Sequence, residues 1–143
     1  RGIAQTKHVE IVYPVHLNPS VHGIVHAKLA GCSNIHLISP VNYTEMVYLM
    51  GRAYLILTDS GGIQEEGPAL GKPVLVMRDL TERPEAVSAG VVRIVGTKSA
   101  DIIDNVERLL ENKVAYADMA RNISPYGDGQ ASERIVQHIR ELL

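Results

Sequence analysis

Tyr54-Leu55-Ile56-Leu57-Thr58-Asp59-Ser60-Gly61-Gly62-Ile63-Gln64-Glu65-Glu66-Gly67-Pro68-Ala69-Leu70-Gly71-Lys72-Pro73-Val74-Leu75-Val76-Met77 is the stretch that decides the fold. Tyr54 to Leu57 is a short apolar run that reads as a strand. It enters Asp59-Ser60-Gly61-Gly62, after which a helix is expected from about Ile63 to Leu70. Gly71-Lys72-Pro73 punctuates the end of that helix, and Val74 to Met77 reads as the next strand. Strand, turn, helix, turn, strand is one βαβ unit, and a βαβ unit implies parallel strands.

The same alternation extends in both directions. Upstream, Val9 to Val15 reads as a strand, Val21 to Ala30 as a helix, Asn34 to Ile38 as a strand and Tyr43 to Arg52 as a helix. Downstream, a short helix near Pro84 to Ala89 precedes a fifth strand, Val91 to Val95. Nearly continuous apolar strands fit a sheet covered on both faces. The expected architecture is therefore a doubly wound, Rossmann-like α/β domain with a parallel sheet. Beyond Gly96 the pattern is helical only. Ile102, Ile103, Val106, Leu109 and Leu110 recur at helical spacing, with Ser99 as the expected N-cap and Asp101 in the first turn. Further helices are expected over about Val114–Asn122 and, after the break Tyr126-Gly127-Asp128-Gly129, over 130–143.

Composition narrows the function classes. The 143 residues suit a single domain, and a net charge of −2 without a basic face argues against nucleic acid. The lone cysteine, Cys32, excludes an internal disulfide framework and reads as a packing residue. No signal-peptide pattern opens the sequence, and no apolar run approaches the ~20 residues of a membrane span, so a cytoplasmic location with no membrane partner is expected. With Phe and Trp absent, the core must come from aliphatic residues, Met and Ala.

Three features carry chemistry. A strand ending in Ser60-Gly61-Gly62 and turning into a helix offers free N–H groups to an anion, at the strand end where parallel sheets bind ligands. The glycines are expected to permit close approach and unusual dihedrals. The same residues also make an ordinary turn, with Asp59 or Ser60 as N-cap. Glu65 and Glu66 point about 100° apart on a helix, so they are not a paired acid/base site. Glu66 is the candidate to accept from ribose hydroxyls, with Glu65 solvated, while both also complement the helix dipole. Arg83 precedes Pro84, which is expected to open a helix, and its guanidinium suits a phosphate; a surface ion pair to Glu82 or Glu85 is the alternative. Together these groups fit a diphosphate and a sugar hydroxyl pair, as in a nucleotide sugar. The histidines, His8, His16, His22, His26, His36 and His138, contain one helical i, i+4 pair, His22 and His26, without the glutamate of a zinc motif. That pair reads as a helix face, and no metal site is expected. His16 differs in ending the first strand at the ligand edge.

The motifs Tyr13-Pro14-Val15-His16-Leu17-Asn18-Pro19, Leu57 to Glu66, Gly71 to Asp79, Thr81-Glu82-Arg83-Pro84-Glu85-Ala86 and Pro125 to Ala131 closely resemble those of the UDP-N-acetylglucosamine 2-epimerases. The resemblance covers the whole sequence. It implies the carboxyl-terminal half of a two-domain, glycosyltransferase-B-like enzyme, lacking the amino-terminal domain and a first strand that would lie centrally in the sheet. It implies interconversion of UDP-GlcNAc and UDP-ManNAc by elimination and re-addition of UDP, with no cofactor. It further implies that Ser60, Gly61 and Gly62 cradle the diphosphate, that Glu66 holds the ribose, and that Arg83 contacts the nucleotide side of the cleft. Met46 matches an aromatic position beside the uracil, where ring stacking would be lost, and Val41 matches a uracil-edge position. His16 faces the interdomain cleft and, in some bacterial members, helps hold a second, activating UDP-GlcNAc. The catalytic residues of the family lie in segments absent here, so the 143 residues alone are expected to be inactive. The full-length protein is expected to be a homodimer. Rival readings are a hydrolysing epimerase, a stand-alone nucleotide-sugar-binding module, and a glycosyltransferase, the last disfavoured by the Thr-Glu-Arg-Pro-Glu run. The upstream reading frame separates the stand-alone module from the others.

Overall fold

The structure, a computed structural model, describes residues 1–5 and 9–142. After a 3-10 turn at Ile3–Gln5 the chain forms β1 (Ile11–Pro14), α1 (Pro19–Leu29), β2 (Ile35–Ile38), α2 (Tyr43–Arg52), β3 (Ile56–Thr58), α3 (Gly61–Ala69), β4 (Val74–Val76), α4 (Pro84–Ser88) and β5 (Val92–Ile94). Three helices follow: α5 (Ser99–Glu111), α6 (Lys113–Met119) and α7 (Ala131–Leu142). All strand pairs among the described residues are parallel, as the βαβ reading requires. Among the described residues no helix is long and apolar enough to cross a membrane.

The strands do not form one continuous sheet. β1 pairs with β2, from Ile11 opposite Ile35 to Pro14 opposite Ile38, while β3, β4 and β5 form a separate three-stranded sheet in that order. Among the described residues nothing pairs the free edge of β1 with that of β3. The expectation of strands covered on both faces holds only for the second sheet. In β4, Val74, Leu75 and Val76 are all wholly buried. Side chains alternate along a strand, so Val74 and Val76 pack with Ala86, Val91 and Val92 on one face. Leu75 points the other way, into Val95, Val106, Leu109 and Met119. In β1, by contrast, Val12 is 48% exposed.

Helix starts move where capping decides them. α1 begins two residues before the expected Val21, because the Asn18 side chain accepts from the Ser20 N–H and Pro19 takes the first helical position. α2 has the expected span and a full capping box, Asn42 with Glu45. Ser99 is not the N-cap of α5: Lys98 holds that position without a side-chain cap bond, and Ser99 is already helical. Asn112, which caps α6 through Val114 and Ala115, starts that helix one residue early. α7 stays outside both cores, with no buried residue.

Candidate functional site

α3 is aimed by close packing. A Cβ on Gly67 would lie 2.5 Å from Val74 Cγ2 and 3.1 Å from Ile56 Cδ1, so only glycine lets this helix lie so close to β3 and β4. Its far end closes on Gly71, at φ 69°, where the Lys72 N–H donates to Gly67 O at 3.1 Å and the Gly71 N–H to Pro68 O at 2.9 Å. This pair of bonds is the Schellman arrangement, which needs a left-handed residue at Gly71. Pinned at both points, α3 presents its N-terminus at the carboxyl end of β3.

That N-terminus starts earlier than the sequence suggests. Gly61 and Gly62 are the first two helical residues, Ser60 is the N-cap, and its side chain makes no cap bond. Neither glycine has the positive φ that favours glycine, so unusual dihedrals are not their use. A Cβ on either would meet nothing within 4 Å, so each faces open space. The Ser60 N–H is already engaged, donating to Thr58 Oγ1 at 3.0 Å. The donors remaining to an anion are therefore the Ser60 hydroxyl and the first N–H groups of α3, which have no intrahelical acceptor.

The neighbouring loop is tied to this turn. Arg83 is the N-cap of α4, with Pro84 in the first helical position as expected. Its guanidinium Nε–H donates to the Glu65 carboxylate, and one terminal N–H reaches Glu82 O at 3.3 Å. This corrects two expectations. Glu65 is not solvated but paired, and the partner of Arg83 is neither the Glu82 nor the Glu85 carboxylate. The hydrogen bond from Arg83 to Glu65, followed by the attraction of the charge, raises the Arg83 pKa further above its already high value. Glu82 instead pairs with Arg78 at 3.4 Å. Glu66, half-buried at the next position, takes part in none of these bonds. The Arg83 backbone is held too: its N–H donates to Thr81 Oγ1 at 3.0 Å and its carbonyl accepts from the Tyr126 hydroxyl at 3.4 Å. Burial raises the Tyr126 pKa, which keeps that hydroxyl protonated as a donor.

The other candidates stand at the end of β1 and the start of α2. His16 follows β1, is exposed, and its Nδ1 accepts from the Asn18 N–H at 3.1 Å. Val41 and Met46 are half-buried, just before and one turn into α2. No hydrogen bond or ion pair among the described residues joins these three to Ser60 or Arg83. The rings of His22 and His26 lie tilted against each other, centroids 4.2 Å apart, beside a small cavity also lined by Val15, Leu17, Leu37, Ile38 and Ser39. Among the described residues no three His, Cys, Asp or Glu side chains converge as a metal site, and His8 lies outside those residues.

Sequence reasoning missed Thr58, Gln64 and Tyr126. A threonine two residues before a turn is a recognisable local signal, since such hydroxyls accept from N–H groups two residues on. Nothing local marks Gln64 as buried or Tyr126 as bound: beside the Ser60 carbonyl, Gln64 is held by Thr81, 17 residues away, and the partner of Tyr126 lies 43 residues away.

A parallel α/β domain with an uncapped helix N-terminus at a strand's carboxyl end is the class that fold and turn define. Known proteins narrow it. The profile of the UDP-N-acetylglucosamine 2-epimerases matches residues 1–140, and the chain belongs to that family. It is 60% identical over 132 residues to a probable UDP-N-acetylglucosamine 2-epimerase of Ralstonia solanacearum, covering 92% of this chain and 35% of that protein. Its fold matches the crystal structure of UDP-GlcNAc 2-epimerase from Neisseria meningitidis bound to UDP-GlcNAc, with TM-score 0.88 and 49% identity over 92% of this chain and 36% of that one. It also matches the Methanocaldococcus jannaschii UDP-GlcNAc 2-epimerase in complex with UDP-GlcNAc and UDP, with TM-score 0.76 and 36% identity, over 92% of this chain and 36% of the other. The chain thus spans about 35% of the length of the curated relatives it matches, nearer a third than the expected half.

Proposed function

We propose that this chain is the UDP-binding, carboxyl-terminal part of a non-hydrolysing UDP-GlcNAc 2-epimerase. One observation carries the reading most: at the carboxyl end of β3, α3 opens with Gly61 and Gly62, both facing open space, under a Ser60 whose hydroxyl is not used as a cap. A diphosphate there meets helix N–H groups and the positive end of the helix dipole. Glu66, half-buried and outside the Arg83 pair, accepts from the ribose hydroxyls. Arg83 adds charge to the same anion through the N–H groups that Glu65 and Glu82 leave over. Val41 and Met46 take the uracil end.

In the reaction the sugar C1–O bond breaks, a base removes the proton on C2, and UDP leaves with the electron pair of the broken bond. UDP then returns to C1 as a proton is delivered to the opposite face of C2. The contribution of this chain is to stabilise the departing diphosphate, a charge that develops as the bond breaks. The base comes from the amino-terminal domain, so residues 1–143 alone are inactive, and the full-length protein works in the cytoplasm as a homodimer without a cofactor. His16, exposed at the end of β1, contributes to the interdomain cleft and to a second UDP-GlcNAc.

Titration of UDP into the intact protein tests the site. The Gly61→Val variant, whose larger side chain enters open space, folds normally and loses most of its affinity. A variant that folds and binds UDP like the parent removes the turn from consideration.

A further inference from the structure

Gln64 is wholly buried, although its side chain is an uncharged amide on the helix that opens the proposed diphosphate site. Both ends of that amide are engaged. Nε2 donates to Ser60 O at 3.1 Å, and Oε1 accepts from Thr81 Oγ1 at 2.5 Å. Thr81 Oγ1 accepts in turn from the Arg83 N–H at 3.0 Å. Every bond in this chain runs the same way, from Arg83 through Thr81 and Gln64 to the carbonyl of Ser60. The polarity fixes the amide orientation, since a flipped Gln64 would turn an oxygen toward the Ser60 carbonyl. Bonds aligned in one direction polarise one another, and burial strengthens each of them.

We infer that Gln64 and Thr81 are positioning residues: a buried bridge that holds the Ser60 turn and Arg83 at a set separation, so that both act on one anion. The inference rests on the reading of that turn as a diphosphate site. Purely structural explanations require only that Gln64 be satisfied; they do not require its two partners to be the two anion-binding segments. The outer ion pair between Arg83 and Glu65 orients the guanidinium, whereas the inner bridge places the backbone that carries it.

The bridge is tested by a mutant cycle read as UDP affinity in the intact protein, alongside thermal melting. Thr81→Val removes the hydroxyl without changing the shape, and Thr81→Ser keeps it. UDP affinity is expected to fall about 10-fold in Thr81→Val, the scale of one well-formed bond to a charged site, and to return to within about 2-fold in Thr81→Ser. In an Arg83→Gln background Thr81→Val is expected to cost less than about 2-fold, because the group it positions is gone. Gln64→Met, which breaks both bonds, is expected to show the same dependence on Arg83. Equal losses with and without Arg83 would make Thr81 a structural residue and overturn the bridge. So would parental affinity in Thr81→Val while Gly61→Val and Arg83→Gln still lose UDP. Parental affinity in those last two variants overturns the diphosphate site itself, and the bridge with it.

Discussion

Replacing Gly61 by alanine should move stability and binding in opposite directions. Gly61 is the first helical residue of α3, has no positive φ, and a Cβ there meets nothing within 4 Å. The folded state therefore accepts the methyl group without strain, while the unfolded chain loses conformational freedom. A glycine-to-alanine change at such a position stabilises by about 0.4–1 kcal/mol. For a domain near this size that raises the melting temperature by about 1–4 °C. The same methyl group occupies the open space that a phosphate must enter to reach the N–H groups of the turn. Loss of one hydrogen bond to a charged group costs about 1.5–3 kcal/mol, or roughly 10- to 150-fold in Kd. Calorimetric titration of UDP and thermal melting of the same preparation read both quantities. A stabilised variant with unchanged UDP affinity would show that no phosphate approaches Gly61. A destabilised variant would refute the packing argument instead, since some neighbour would have to stand closer than the structure places it.

The two adjacent glutamates should separate. Glu66→Gln is expected to weaken UDP by at most roughly 1.5–3 kcal/mol per lost bond, and much less for 2′,3′-dideoxy-UDP. Glu65→Gln is expected to release Arg83 and change the salt dependence of UDP binding rather than the ribose preference; equal effects of the two changes on both ligands would refute the assignment. Asp128 has its pKa held below the ordinary 3.8 chiefly by its hydrogen bond with Arg134. A depressed carboxylate stabilises fully above its unfolded value and loses that contribution as pH falls through the folded one, so acid titration below about pH 4 should loosen the start of α7. Arg134→Gln should flatten that acid limb, and an unchanged limb would mean the pair does not anchor the helix. Finally, residues 1–143 expressed alone should self-associate, because Ile135, Ile139 and Leu142 are 59%, 51% and 75% exposed along one face of α7. Light scattering across concentrations should show association that Ile135→Lys with Ile139→Lys reduces; a monomer at every concentration would refute it.

The order and type of the elements were legible because they rest on local signals. Apolar runs of strand length separated by amphipathic stretches mark parallel βαβ units, and the helix expected over Tyr43 to Arg52 has that span in the structure, where a local capping box sets its start. The Ser60 turn was legible for the same reason, as was its position at the end of a strand. Glu66 and Arg83 were singled out by their places after that turn, and the family resemblance added Val41 and Met46.

What the sequence by itself determined, then, was a set of parallel α/β units and a glycine-rich turn at the carboxyl end of a strand. Tertiary structure decided which groups that turn leaves available. Adjacent glutamates look alike in sequence, yet Glu65 reaches Arg83, 18 residues away, and Glu66 does not. Gln64 looks like one more polar residue on a helix, yet packing buries it between Ser60 and a loop beyond β4. Two apolar strands, β1 and β4, differ in burial because, among the described residues, β4 has neighbours on both edges and cores on both faces whereas β1 pairs with β2 alone. Periodicity reports the face a residue occupies on its own element. The partner across from that face is set by how elements stack, and that depends on contacts far apart in the chain.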